Sequence, residues 1–130
     1  MESGLEVCAG GLFGLGETWE DRIDLAIALR DLGVNSIPIN FLHPQPGTPL
    51  ERQPVLSAEE ALRIISVFRH LLPSTTLRIC GGRPGVLKDR QKDMFKAGAN
   101  ALMTGDYLTT SGQIPQSDVQ MIKKLGLIVN

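Results

Sequence analysis

Four short apolar segments occur along the chain, and each is followed by a longer segment with helical periodicity. The apolar segments predict β-strands at 5–9, 34–42, 75–80 and 101–103. The second of these is apolar on both faces, as expected of a parallel strand that is buried on both sides. Pro38 lies inside it, although proline donates no hydrogen bond to a neighbouring strand. A further apolar segment, 127–129, would suit another strand.

Helices are predicted between the strands by apolar spacing and by residues that favour helix ends. The predicted helices are bounded by Thr18 and Gly33, by Ser57 and Pro73, by Leu87 and Gly98, and by Ser117 and Gly126. Asp21 follows Thr18, and Glu60 follows Ser57, at the spacing of a capping box. The third helix is expected over 87–96, and Ser117 is expected to cap the last one.

The order of elements, β-α-β-α-β-α-β-α, favours an α/β fold with a parallel sheet and right-handed crossovers. Four consecutive βα units are half of a TIM (βα)8 barrel, which typically needs about 250 residues. The 130 residues are therefore expected to form one partial domain, 1–130. Ligands of such folds bind at the carboxyl ends of the strands, where this chain has Gly-rich and Pro-rich loops.

Composition and charge exclude several classes of function. A net charge of −1 without a basic segment argues against nucleic acids and anionic membranes as partners. No apolar run approaches the roughly 18 residues needed to span a bilayer. The first residues lack the features of a signal peptide, and two cysteines make a poor disulfide framework. We therefore expect a cytoplasmic protein with reduced thiols.

A glycine-rich loop follows the first predicted strand, with glycines at 10, 11, 14 and 16 and a carboxylate at Glu17. It is not a P-loop, because no Gly-Lys-Ser/Thr follows. It is not G-x-G-x-x-G either, because Trp19 stands where the third glycine belongs. Two interpretations stay open, a loop that contacts a ligand and a tight structural turn.

Two cysteines, Cys8 and Cys80, lie near the ends of the first and third predicted strands. A lone strand cysteine is by default a small buried apolar residue, and no C-x-x-C suggests a zinc site. In a barrel these strands would lie about 9–10 Å apart. That exceeds the limit of about 7 Å between the Cα atoms of a disulfide. The two cysteines are therefore not expected to pair, but two side chains at this separation could hold an inorganic cluster.

Asn40 and Arg78 are polar residues within apolar strands. A buried amide needs hydrogen-bond partners, which could be neighbouring backbone groups or a polar ligand. A buried guanidinium needs a compensating partner. An anionic ligand could supply it, and the alternative is an ion pair with Glu17 or Asp106. Alternation along the strand places Arg78 and Cys80 on the same side.

Four motifs in series resemble the biotin synthase family over essentially the whole chain. They are Val7-Cys8-Ala9-Gly10-Gly11 with Gly14-Leu15-Gly16-Glu17-Thr18; Ser36-Ile37-Pro38-Ile39-Asn40-Phe41-Leu42 with Pro46-Gly47-Thr48-Pro49-Leu50; Leu77-Arg78-Ile79-Cys80-Gly81-Gly82-Arg83; and Ala97-Gly98-Ala99-Asn100 with Gly105-Asp106-Tyr107-Leu108-Thr109-Thr110.

The resemblance implies a radical S-adenosylmethionine enzyme on a TIM barrel, which reduces S-adenosylmethionine at a [4Fe-4S] cluster. The radical that is released abstracts hydrogen from dethiobiotin, and a [2Fe-2S] cluster donates the sulfur that makes biotin. Cys8 matches a cysteine ligand of the [2Fe-2S] cluster, and Arg78 matches its arginine ligand. Asn40 matches an asparagine that binds the ureido ring of dethiobiotin. The loop with Gly10, Gly11 and Leu12 resembles the S-adenosylmethionine site. Cys80 stands where the family commonly has serine, so the resemblance assigns it no ligand role.

The chain also departs from the family. The C-x-x-x-C-x-x-C motif for [4Fe-4S] and the other two cysteine ligands of [2Fe-2S] are absent. The sequence thus resembles only the carboxyl-terminal half of the barrel. It predicts a truncated or split biotin synthase that is inactive alone. The 130 residues are expected either to be a poorly behaved monomer or to pair with a separate amino-terminal half or with a second copy.

Three other interpretations stay open. They are a non-catalytic remnant or interaction module of a truncated gene, half of a related radical enzyme, and a metal-free small-molecule binder. Arg78 and the segment Leu108-Thr109-Thr110 favour biotin synthase over the related enzymes.

Overall fold

A computed structural model describes residues 4–107 and 111–129; residues 108–110 of the last motif lie outside this part. Its elements are β1 (Gly11–Phe13), α1 (Trp19–Asp31), β2 (Ser36–Phe41), α2 (Ala58–Leu71), β3 (Thr76–Ile79), α3 (Arg83–Leu87), a 3₁₀ turn (Lys88–Arg90), α4 (Asp93–Ala97), β4 (Ala101–Leu102) and α5 (Pro115–Lys124). The four strands form one parallel sheet in the order β1-β2-β3-β4. The predicted fold class, half of a TIM-barrel-like α/β fold, is confirmed.

The sheet has one face toward the helices and one face without them. Ile37, Ile39 and Phe41 of β2 are buried against the helices, whereas Pro38 and Asn40 alternate with them on the open face. The open face corresponds to the interior of a complete barrel. The side chains with candidate chemistry therefore project into the space that a closed barrel would enclose.

The prediction of a first strand over 5–9 is wrong, and Pro38 supplies the physical reason. Leu42 N donates to Phe13 O, while Phe41 N donates to Gly81 O, so the even positions of β2 bond toward β1. Proline at position 38 cannot donate there, and the β1–β2 ladder is interrupted. Only an isolated bridge between Cys8 and Ser36 precedes the gap, and the paired strand begins at Gly11.

The helix starts follow the predicted caps in part. Thr18 Oγ1 accepts from Asp21 N at 3.2 Å, and Asp21 Oδ2 accepts from Thr18 N at 2.7 Å, which completes the first capping box. Ser57 Oγ accepts from Glu60 N, but the Glu60 carboxylate accepts from Arg22 instead of returning to Ser57. The second capping box is therefore only half formed.

The predicted single helix over 87–96 is wrong. Pro84 favours a helix start, so α3 begins earlier, at Arg83. Lys88 has a positive φ of 49°, which breaks the helix and is rare for a residue with a side chain. A separate helix, α4, then ends at Gly98.

The carboxyl-terminal region also differs from the prediction. Pro115 is the first residue of α5, and Ile114 rather than Ser117 is the cap. Residues 127–129, which would suit a further strand, lie outside regular secondary structure. Within 4–107 and 111–129, no helix combines the length and apolar character needed to cross a bilayer.

The core lies between the sheet and α2. Ile64, Ile65 and Phe68 of α2 are fully buried. The Phe68 ring meets the Phe13 ring edge-on, with centroids 5.3 Å apart and an interplanar angle of 79°. This contact anchors the end of β1, which lies within the glycine-rich segment and leads directly into its second part, residues 14–17.

Candidate functional site

Three side chains from different parts of the sequence meet on the open face of the sheet. Arg78 Nη2 donates to Ser36 Oγ at 3.0 Å, and Nη1 lies 3.9 Å from Cys8 Sγ. Ser36 Oγ lies 3.7 Å from the same sulfur. The strand register creates this cluster, because Cys8 bridges Ser36 and β3 pairs in parallel with β2. We call these three residues the Cys8 cluster.

The partners of Arg78 are neutral. The ion pair considered as an alternative does not form in the described part of the chain: Glu17 binds Arg22, and Asp106 accepts from Gly112 N. Arg78 is partly exposed, so water compensates its charge in this chain. The cation is therefore available to an anionic or electron-rich ligand on the open face.

The two cysteines differ in environment. Cys8 is exposed, so its interpretation as a buried apolar residue is wrong, whereas Cys80 is buried. Both are free thiols. Burial raises the pKa of Cys80, and the positive charge of Arg78 opposes that shift only in part. Of the two sulfur atoms, that of Cys8 is the accessible one.

Asn40 lies on the same face but nearer the carboxyl ends of the strands. It lies four positions beyond Ser36 along β2, which corresponds to about 13 Å. Its Oδ1 accepts from Gly81 N at 2.9 Å, and its Nδ2 makes only a long contact of 3.5 Å with Gly11 O. The site therefore has two levels, with the Cys8 cluster at the amino end of β2 and Asn40 above it. The Asn40 amide retains an unsaturated donor.

Gly10, Gly11 and Leu12 approach this upper level along the edge of the sheet. A Cβ at Gly10 would lie 2.0 Å from Pro38 O, and one at Gly11 would lie 2.7 Å from the Phe13 ring. Packing within the chain thus accounts for both glycines without a ligand. Leu12 pairs in register with Asn40 and is 46% exposed, so it offers apolar surface beside the amide.

The glycine-rich loop holds a carboxylate of its own. Glu17 accepts from Gly14 N at 2.9 Å and from Leu15 N at 2.7 Å. Arg22, which stacks over the Trp19 ring, bridges Glu17 to Glu60. Burial raises the pKa of Glu17, but these hydrogen bonds outweigh it and the net pKa lies below the ordinary value. The N–H groups of Gly14 and Leu15 are therefore engaged by Glu17.

Sequence reasoning missed one buried network near the site. Arg83 and Asp118 form an ion pair with a shortest distance of 2.7 Å, and both side chains are inaccessible to solvent. Tyr107 lies nearby and donates to Cys80 O at 2.9 Å. Arg83 and Asp118 are 35 positions apart, and no local pattern links them. Only the apolar surroundings of Asp118 in α5 gave a signal.

No group of three or more His, Cys, Asp or Glu side chains that could hold a metal ion occurs within 4–107 and 111–129. The Cys8 cluster is thus at most part of a ligand set.

A cavity of about 640 Å³ lies away from the Cys8 cluster, beside β4 and α5. It is lined mainly by apolar residues such as Leu102, Val119 and Ile122.

Comparisons with known proteins agree with the resemblance seen in the sequence. Proteins named biotin synthase from Desulfovibrio desulfuricans and Desulforudis audaxviator are 65% and 59% identical to the chain over 98% and 95% of its length. A biotin synthase from Heliobacterium modesticaldum is 52% identical over 98% of the chain. The chain spans only 40%, 38% and 39% of these three relatives, respectively. Residues 38–128 match the Biotin and Thiamin Synthesis associated domain, and the chain belongs to that family.

Proposed function

We propose that this chain is the carboxyl-terminal half of a biotin synthase barrel and acts in the conversion of dethiobiotin to biotin with S-adenosylmethionine. The observation that carries the proposal is the approach of Arg78 to the exposed Cys8 sulfur on the face that a barrel would enclose. The family membership of residues 38–128 supports the same reaction class.

The residues of the Cys8 cluster fit one side of an iron–sulfur site. An accessible thiol can bind iron as thiolate, and a guanidinium with only neutral partners can donate hydrogen bonds to the sulfur atoms of an anionic cluster. In the complete enzyme the [2Fe-2S] cluster would supply the sulfur atom that enters the product, and the [4Fe-4S] cluster would reduce S-adenosylmethionine. Cys8 and Arg78 would hold the first of these, and the remaining cysteine ligands would come from the other half of the barrel.

Asn40 binds the substrate above that site. Because Gly81 N occupies Oδ1, the free capacity of the amide is its Nδ2 donor. A donor matches the carbonyl oxygen of the dethiobiotin ureido ring. The exposed Leu12 beside it, with Gly10 and Gly11, offers apolar and backbone contacts to S-adenosylmethionine.

The missing half of the barrel is the natural partner of both sheet edges. Leu5 and Leu12 are exposed near β1, and Met103 and Ile128 are exposed near β4. The cavity of about 640 Å³ flanks the β4 edge. Unpaired strand edges with apolar surroundings favour association. An amino-terminal half with four further βα units would cover both, whether it lies on the same polypeptide or on a separate one.

The experiment is co-expression of this chain with an amino-terminal half that carries the missing cysteines. Bound iron and sulfide, the visible absorption of the clusters and biotin formation are measured in the purified pair. We expect the pair to assemble clusters and to convert dethiobiotin, whereas the chain alone converts none.

Two variants test the ligand assignments in that pair. Cys8→Ala and Arg78→Ala should each change the absorption or the iron content of the [2Fe-2S] site, while Arg52→Ala, at an exposed position, should leave both unchanged. Wild-type spectra in both site variants would contradict the assignment of Cys8 and Arg78.

A further inference from the structure

The ion pair between Arg83 and Asp118 is buried to an unusual degree. Arg83 Nη1 donates to Asp118 Oδ1 at 2.9 Å, and Nη2 donates to Oδ2 at 2.7 Å. Burying two charges costs several kcal/mol per ion, and apolar residues of similar volume are often at least as stable. Stability alone is therefore a weak explanation for the burial of this pair. The geometry of its hydrogen bonds indicates that it also positions neighbouring segments of the chain.

The Arg83 guanidinium joins three elements at the carboxyl edge of the sheet. Besides Asp118 of α5, it donates to Gln91 Oε1 at 2.6 Å and to Met103 O, just after β4, at 3.3 Å. Arg83 is the first residue of α3 and directly follows Gly82. The guanidinium thus fixes the start of α3 relative to α5 and to the end of β4.

The turn Cys80-Gly81-Gly82, which precedes Arg83, is held from the opposite side by β2. Gly81 N donates to Asn40 Oδ1, and Phe41 N donates to Gly81 O, both at 2.9 Å. Gly82 is left-handed with φ of 76°, and a Cβ there would lie 2.0 Å from Phe41 O. The turn is therefore held on one side by the hydrogen bond from Gly81 N to Asn40 Oδ1. On the other side it is held by Arg83, whose guanidinium binds Gln91, Met103 O and Asp118.

We propose that Arg83 and Asp118 are positioning residues that set the orientation of the Asn40 amide through the Gly81 N–H. The ion pair holds the turn so that Gly81 N binds Oδ1, and this bond leaves Nδ2, with its long contact to Gly11 O, as the donor end of the amide. The effect of this orientation on dethiobiotin binding rests on the proposed function of Asn40.

The first test is made on the chain itself by NMR with ¹⁵N labelling. Gly81 amide exchange and the Asn40 side-chain NH₂ signals are followed in Asp118→Asn and Arg83→Lys. The matched controls are Asp31→Asn and Arg30→Lys, which alter an exposed ion pair in α1. We expect Gly81 exchange to accelerate by about tenfold or more, with shifted Asn40 signals, in the first two variants only.

A milder variant covers the case in which Asp118→Asn or Arg83→Lys does not fold. Gln91→Ala removes one neutral partner of Arg83 and leaves the ion pair in place. It should change the Gly81 and Asn40 signals in the same direction but by less, and leave those of exposed α1 residues unchanged. Wild-type Gly81 exchange and Asn40 signals in a folded variant of this set would overturn the proposal.

The reconstituted barrel separates this proposal from the proposed function. There, Arg83→Lys should raise the KM for dethiobiotin by about tenfold and leave the cluster absorption unchanged. An unchanged KM together with altered Asn40 signals would contradict the substrate role of Asn40 and leave the positioning pair supported. An unchanged KM together with wild-type Gly81 exchange and Asn40 signals would contradict the positioning role.

Discussion

Arg78 Nη1 lies 3.9 Å from Cys8 Sγ, although the two residues are 70 positions apart in the chain. Neither side chain needs the other for burial, because Cys8 is exposed and Arg78 is partly exposed. What brings them together is the isolated bridge between Cys8 and Ser36, the parallel register of β2 and β3, and the alternation of side chains on these two strands. The pair is therefore a property of the fold, which the backbone fixes before any ligand binds.

Thiol reactivity should distinguish the two cysteines. In the folded chain, iodoacetamide should modify Cys8 at least about a hundredfold faster than Cys80, since reaction at Cys80 requires the structure to open. The raised pKa of Cys80 also lowers its content of thiolate, the reactive form. Peptide mapping by mass spectrometry measures both rates.

The control for thiol reactivity is the same reaction in concentrated guanidinium chloride, where both cysteines should react at similar rates. Equal rates in the folded protein would contradict the burial of Cys80.

Gly82→Ala should be much more destabilising than Gly33→Ala. Both glycines have positive φ, 76° and 69°, so both variants incur backbone strain of about 1–2 kcal/mol. Only at Gly82 does a Cβ also collide with backbone, 2.0 Å from Phe41 O, whereas nothing lies within 4 Å of a Cβ at Gly33. Urea denaturation should show a loss in unfolding free energy that is larger at Gly82 by at least about 1 kcal/mol. Equal losses would contradict the close approach of the turn to β2.

The sequence predicted the fold class and most helix starts because those signals are local. Thr18 with Asp21 caps α1 as expected, and the apolar spacing identified α2. The first strand was misplaced because its pairing depends on Pro38, a residue of the neighbouring strand. The first and last residues of a strand depend on the strand with which it pairs, and the sequence of one segment does not specify that partner.

The candidate site was predictable only where strand alternation sufficed. Alternation placed Arg78 and Cys80 on one side of a strand, and the family resemblance grouped Cys8, Asn40 and Arg78 as site residues. The separation of Asn40 from Cys8 and Arg78 into two levels required the observed register. The ion pair of Arg83 and Asp118 depends on where α5 lies relative to the start of α3. Nothing in the sequence near either residue specifies that packing.

Phe68→Leu should destabilise the chain by about 1–2 kcal/mol, because it removes ring volume from the core and the edge-to-face contact with Phe13. Leu32→Ala, at a side chain that is 67% exposed, should change the unfolding free energy by no more than about 0.5 kcal/mol. Urea titration monitored by circular dichroism measures both. Similar small effects in the two variants would place Phe68 outside the core.

The contribution of Glu17 to stability should disappear in acid. Its hydrogen bonds with Gly14, Leu15 and Arg22 keep its folded-state pKa below the ordinary value of a glutamate, despite the opposing effect of burial. A carboxyl group whose pKa is lowered by folding stabilises the native state above its unfolded pKa, about 4.3. That stabilisation is lost as the pH falls through the lower folded-state pKa.

The measurement compares wild type with Glu17→Gln by urea denaturation at pH 7, 5, 4 and 3. Glu17→Gln should be clearly less stable at pH 7, and the difference should shrink below about pH 4, where protonation also removes the charge from the wild type. Glu59→Gln serves as the control, since Glu59 is largely exposed and pairs only with Arg63 at the surface. Its effect should be small at every pH. A Glu17→Gln difference that stays constant from pH 7 to 3 would show that the ionised carboxylate is not what holds the glycine-rich loop.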